Sequence, residues 1–162
     1  MKRLACIAMS LALAGCCCFM FQGDPYYDDY TRVEPASADL VGVWTANAKS
    51  LDWLKGQGYA VAAAPTLELK ADGTFAVTGM PDCWRVFADT DRTKTFDSAP
   101  GKWKVAKHQE WWAVALDFDR PPWYTQGGYS TEVFLRRQAP PYLLHVIVGD
   151  PDAGNGIEFE KP

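Results

Sequence analysis

Leu67-Glu68-Leu69-Lys70-Ala71-Asp72-Gly73-Thr74-Phe75-Ala76-Val77 reads as a β-hairpin. Leu67 and Leu69 alternate with Glu68 and Lys70, the period of two that puts one face of a strand in a core and the other in water. Ala71-Asp72-Gly73 then turns the chain, because glycine accepts the positive φ that tight turns require. Phe75 and Val77 return on the inward side. The same pattern extends outward from this hairpin. Residues 40–45 form a strand before it. Residues 101–105 set Trp103 and Val105 against Lys102 and Lys104. Residues 111–118 alternate through Trp112, Val114, Leu116 and Phe118. Residues 131–137 carry Val133 and Leu135, and residues 142–148 follow the turn at Pro140-Pro141. Residues 157–160 close the series with Ile157 and Phe159. Only residues 47–55 read as helix, with Leu51 and Leu54 at helical spacing beside Trp53.

Short strands at this spacing predict an all-β domain. The expected form is a small antiparallel up-and-down barrel of about eight strands with one short helix after the first; a β-sandwich is the alternative. Closing the sheet removes exposed edges. The connections alternate between long (46–65, 79–100, 119–130) and short (71–73, 106–110, 138–141), with a medium one at 149–156. In a meander, alternate connections lie at opposite ends, so the long ones are expected to gather at one end.

The N-terminus is an address rather than part of the fold. Lys2 and Arg3 precede an apolar run that leads to Leu13-Ala14-Gly15-Cys16. These four residues resemble the lipobox of bacterial lipoprotein signal peptides: an aliphatic residue, two small residues, then cysteine. The resemblance implies a signal peptide over residues 1–15, cleavage before Cys16, and acylation of that cysteine with diacylglycerol and palmitate-like chains. It also implies a protein held outside the cytoplasm, on the outer face of the cytoplasmic membrane or on the outer membrane. The alternative is an uncleaved helix, since residues 4–21 form an apolar run of 18 residues, the lower limit for a span. Residues 16–38 have no strand or helix period and carry Gly23, Pro25, Pro35 and several acids, so they read as a lipidated, disordered tether. The tether would enter the domain, residues 39–162, from the tight-turn end. The long-connection end would then point away from the membrane.

A second resemblance concerns the domain. Gly42-Val43-Trp44 resembles the Gly-x-Trp first strand of lipocalin-like barrels, in which the tryptophan packs across the barrel floor. The hairpin at 67–75, Gly101-x-Trp103, and Gly149-Asp150-Pro151-Asp152 before Ile157-Glu158-Phe159 are similar to a group of uncharacterised secreted bacterial domains. That likeness implies a shared small β-fold and no known activity.

Composition narrows the partners. Without Lys2 and Arg3 the chain has 14 basic and 20 acidic residues, a formal charge of −6. Nucleic acids and anionic lipid surfaces attract basic footprints, so neither is expected as the main partner. Of five cysteines, only Cys83 lies in the domain, which gives no disulfide framework; a bridge to Cys17 or Cys18 competes with a simple buried thiol. No enzyme is expected. His108 falls in a predicted turn and His145 lies in a strand opposite Leu144 and Val146. No nucleophile elbow or phosphate-binding glycine loop accompanies them. No cofactor is expected either. Asp150 and Asp152 are weak metal candidates, because the loop fails an EF-hand register and suits a hairpin turn.

Aromatic residues are the remaining signal. Among seven tryptophans, Trp44, Trp103 and one of Trp111 and Trp112 suit the core, since adjacent strand residues face opposite ways. Trp53, Trp84, Trp123, Tyr124 and Tyr129 sit in or beside the long connections. Gathered at one end, they would form either a rim that binds a small amphipathic ligand or an envelope protein, or a lid that packs the mouth shut.

Overall fold

The hairpin around Asp72 joins β2 (Thr66–Leu69) to β3 (Thr74–Pro81), with Leu69 opposite Phe75 and Leu67 opposite Val77. The Asp72 carboxylate accepts from the Thr74 N–H at 2.9 Å and its hydroxyl at 2.6 Å, and Gly73 takes φ +80°. The computed structural model describes residues 25–84, 93–124 and 127–162. Around the hairpin stand β1 (Gly42–Ala46), β4 (Phe96–His108), β5 (Trp111–Phe118), β6 (Tyr129–Arg136), β7 (Leu143–Ile147) and β8 (Gly156–Glu160). The eight strands close in chain order, all antiparallel, with β1 paired to β8. The barrel is therefore the up-and-down form, and the sandwich alternative is excluded.

Inward side chains form one core: Trp44, Leu67, Phe75, Trp103, Leu116, Leu135, Ile157 and Phe159 are all buried within it. Gly101 is required by this packing, because a Cβ there would collide with the Phe75 ring and the Asp117 carbonyl. The tight-turn end is sealed by Trp44, whose indole N–H donates to the Leu40 carbonyl at 2.8 Å. Leu40 belongs to a short helix, α1 (Ser37–Leu40). Lys161 lies 4.9 Å from the centre of the Trp44 ring and donates to the carbonyls of Asp39 and Val41 at 2.6 and 2.8 Å. Burial lowers the pKa of this lysine. The Gly-x-Trp strand thus has its tryptophan at the barrel floor.

At the other end α2 (Ala48–Gly56) spans the connection from β1 to β2. Asn47 caps it, its side-chain oxygen accepting from the Ser50 N–H at 3.0 Å, as expected for an N-cap residue. Among the described residues no helix is long and apolar enough to cross a membrane. Several boundaries differ from the sequence reading: Leu40, expected in the first strand, lies in α1, β3 runs on to Pro81, β6 begins at Tyr129, and His108, expected in a turn, ends β4. β4 begins at Phe96 rather than 101, because a register shift between Val77 and Met80 bends β3 and lets the pair run on to Pro81↔Phe96. Residues 1–24, with the expected signal peptide, Cys16 and the first part of the tether, lie outside the described residues; from residue 25 onward the tether reading needs correction, since this segment packs against the barrel.

That packing forms a strap. Residues 25–29 are turns, with the Tyr26 carbonyl accepting from the N–H groups of Asp29 and Tyr30. Thr31 wedges between β5 and β6: its N–H donates to the Leu135 carbonyl at 2.9 Å, and its carbonyl accepts from the Trp112 N–H at 2.8 Å. Tyr30 and Thr31 are 1% and 0% exposed, values no solvated linker shows. The Asp29 carboxylate accepts from Arg136 at 2.7 Å, and the Arg136 guanidinium lies 4.0 Å from the centre of the Tyr26 ring. Tyr26 and Tyr30 cover His145, which is 1% exposed on the outer face of β7. The sequence placed His145 on that face correctly, but the face is covered rather than wet.

Candidate functional site

Trp84, Trp123 and Tyr129 do come together at the long-connection end. Trp84 meets Phe118 and Trp123 edge to face, with ring centres 5.3 and 5.9 Å apart. Tyr129 completes the cluster beside Phe118, Trp123 and Tyr124. Trp84 is buried at 1% exposure, in the single turn Asp82–Trp84. Next to it the Asp82 carboxylate accepts from the Tyr59 hydroxyl at 2.5 Å, and burial raises the pKa of that tyrosine strongly. Cys83 is buried in the same core. These aromatics pack inward, so they form a plug rather than an exposed rim. Of the five, Tyr124 is exposed, while Trp53 stands apart on α2, half-buried near the strap.

Two open spaces of similar size lie in the barrel wall: one of about 580 Å³ over β3, β4 and β5, bordered by charged Lys70, Lys102, Asp117 and Asp119, and a more apolar one between β6 and β7. The ladder between β6 and β7 covers only three pairs and ends at Phe134↔His145. Continued in register, it would join Val133 to Val146 and Glu132 to Ile147. Instead the two strands part, leaving a cleft of about 530 Å³. Its walls include Tyr129, Thr131 and Val146, whose side chains point inward, as well as Phe134 and Ile147, which point outward. The cleft therefore sits in the seam of the wall, where residues of both faces border it. Its outer side carries a polar pair: His108 Nδ1 lies 2.6 Å from Glu132 Oε2. The small Ala113 and Ala115 on the intervening β5 allow that reach across the outer face. Gly149 and Pro151 of the β7–β8 connection bound the cleft at the long-connection end.

Chemically the cleft offers apolar walls and one hydrogen-bonding pair. His108 with Glu132 resembles a base held by its carboxylate, but the nearby Ser130 hydroxyl donates to Asp117 at 2.6 Å instead. Asp150 is engaged in the turn, its carboxylate accepting from the Asp152 N–H at 3.0 Å, with Gly154 left-handed behind it. Among the described residues no three His, Cys, Asp or Glu side chains are grouped to hold a metal ion.

Of the five aromatics singled out from the sequence only Tyr129 lines this cleft; His108, Glu132, Phe134 and Ile147 were not among them. Periodicity reports which face a residue takes and says nothing of where a ladder stops. Comparison of the chain with protein-family models, with curated proteins and with solved structures finds no significant match.

Proposed function

We propose that this chain is a membrane-anchored lipoprotein outside the cytoplasm, acylated at Cys16, whose barrel binds a small amphipathic molecule in the cleft between β6 and β7. The lipobox pattern at Leu13-Ala14-Gly15-Cys16 supports the anchor. The cleft supports the binding role: about 530 Å³ is within the range of small-molecule sites, which combine apolar walls with few polar groups. Phe134, Val146 and Ile147 would contact an acyl or other apolar chain, and His108 with Glu132 would meet its polar end. Tyr129, the member of the aromatic plug that lines the cleft, is braced by Phe118 and Trp123, since offset and edge-to-face rings hold one another in place.

The test is a titration with single-chain amphiphiles, such as laurate and a lysophospholipid, followed by intrinsic fluorescence and calorimetry. Trp111 reports on this region, because it packs against Phe134 and His108. Saturable binding is expected, and Ile147→Trp, which fills the cleft, should weaken it about tenfold or more, while Tyr124→Ala should not. Equal affinity in Ile147→Trp would remove the cleft from the account.

A further inference from the structure

The strap runs opposite to the direction a simple tether would take. From Thr31, wedged beside Leu135 near the tight-turn end, the chain passes back along the outside of β7 and β8. It reaches the β7–β8 connection, where the Pro25 ring packs on Gly154 and the Tyr26 hydroxyl donates to the Gly154 carbonyl at 3.3 Å. That connection also supplies Gly149 and Pro151 to the cleft. Eight residues, 17–24, separate Cys16 from Pro25. Even fully extended, that stretch spans only about 30 Å. Returning past the β7–β8 ladder to the tight-turn end would use about 16 Å of it for five strand residues.

We infer that the long-connection end, with the β6–β7 cleft, is presented to the membrane that carries the anchor, and that the cleft takes its amphiphile from that bilayer's surface. This rests on acylation of Cys16 and on the cleft as the binding site. It reverses the orientation expected from the sequence, in which that end pointed outward. The strap makes the difference, by carrying the point of attachment from one end of the barrel to the other.

The acylated full-length protein, on phosphatidylcholine–phosphatidylglycerol vesicles holding a headgroup-labelled acceptor lipid, tests the orientation. A fluorescent amino acid placed at Asp152 should transfer energy to the acceptor more strongly than one at Asp72; both positions are exposed. Equal transfer, or stronger transfer from position 72, would overturn the inference. If the wild-type protein does not pellet with vesicles, or Cys16→Ser pellets equally well, the anchor fails and the inference falls with it, by a readout independent of energy transfer. The source of the ligand has its own arm. Inserting twenty Gly/Ser residues between Asp24 and Pro25 should slow uptake of a fluorescent lysophospholipid from the host vesicle several-fold, leaving affinity for the soluble monomer unchanged. Unchanged uptake would contradict a membrane source. Absence of monomer binding in both proteins would instead strike the binding site itself.

Discussion

The outer faces of two walls of this barrel differ. Along β2 and the middle of β4, Glu68, Lys102 and Lys104 meet water, as does Lys70 just after β2, and apolar and polar residues alternate. On β7, four consecutive residues from Leu143 to Val146 are buried, and on β8 the outward Glu158 is only 7% exposed. The second wall has another layer on it. Tyr26, Asp29, Tyr30 and Thr31 cover it, Arg136 bridges Asp29 to Glu158, and Asn47 donates to Glu158 from the base of α2 at 3.0 Å. Where a strand has lost its alternation, some part of the chain must be covering it, and here that part is the segment before the barrel. The same wall contains the cleft, immediately above the strap's contacts.

Substitutions on the two walls should separate these roles. The largest effect belongs to neither wall but to the floor they share: Trp44→Ala should cost about 3–5 kcal/mol, as for other buried large aromatics, measured by urea unfolding. A variant as stable as wild type would show that the floor is misassigned. Arg136→Ala should cost about 2 kcal/mol, somewhat less than breaking a fully buried pair, because Arg136 keeps some contact with water. It should also raise hydrogen exchange in residues 26–31 while leaving β2 and β3 unchanged. Uniform loss of protection would mean that the strap and the barrel are one cooperative unit.

Glu158 makes the covered wall sensitive to acid. Burial pushes its pKa up, but the Asn47 hydrogen bond and the charges of Arg136, Lys49 and His145 outweigh that, and the net shift is downward. A lowered carboxyl contributes stability above its unfolded value, and that stability is lost as pH falls through the lower folded value. Wild type should therefore lose stability as pH falls through and below the ordinary glutamate range, and Glu158→Gln, already weaker at neutral pH, should lose less on the same descent. Equal slopes would remove Glu158 from the account. The smallest effect is expected on the open wall, where Lys102→Ala should change stability by no more than about 0.5 kcal/mol.

The sequence made the open wall legible and the covered wall only partly so. Alternation at 67–77 and 111–118 reports a sheet with one wet face, and chain order with short turns then leads to a meander. The run Tyr142-Leu143-Leu144-His145-Val146-Ile147-Val148 carried the signal for a second layer, since it offers no polar face except His145. Tyr26-Tyr27-Asp28-Asp29-Tyr30 carried the complementary one: three tyrosines in five residues, beside Asp29, which pairs with Arg136. Charge and proline made the segment look like a linker, because composition is read one segment at a time while packing joins residues more than a hundred positions apart. The candidate site was legible only through Tyr129. The end of the β6–β7 ladder is set by strand divergence, which no local pattern records.

Hydrogen exchange at the Thr31 amide tests the strap most directly. That N–H is fully buried and donates to the Leu135 carbonyl. Its exchange should be at least about a hundredfold slower than that of an unstructured peptide, because opening it requires lifting the strap out of the gap between β5 and β6. Exchange near the rate of an unstructured peptide would return residues 25–31 to the tether, leave β7 without its cover, and remove the geometric basis for the membrane-facing cleft.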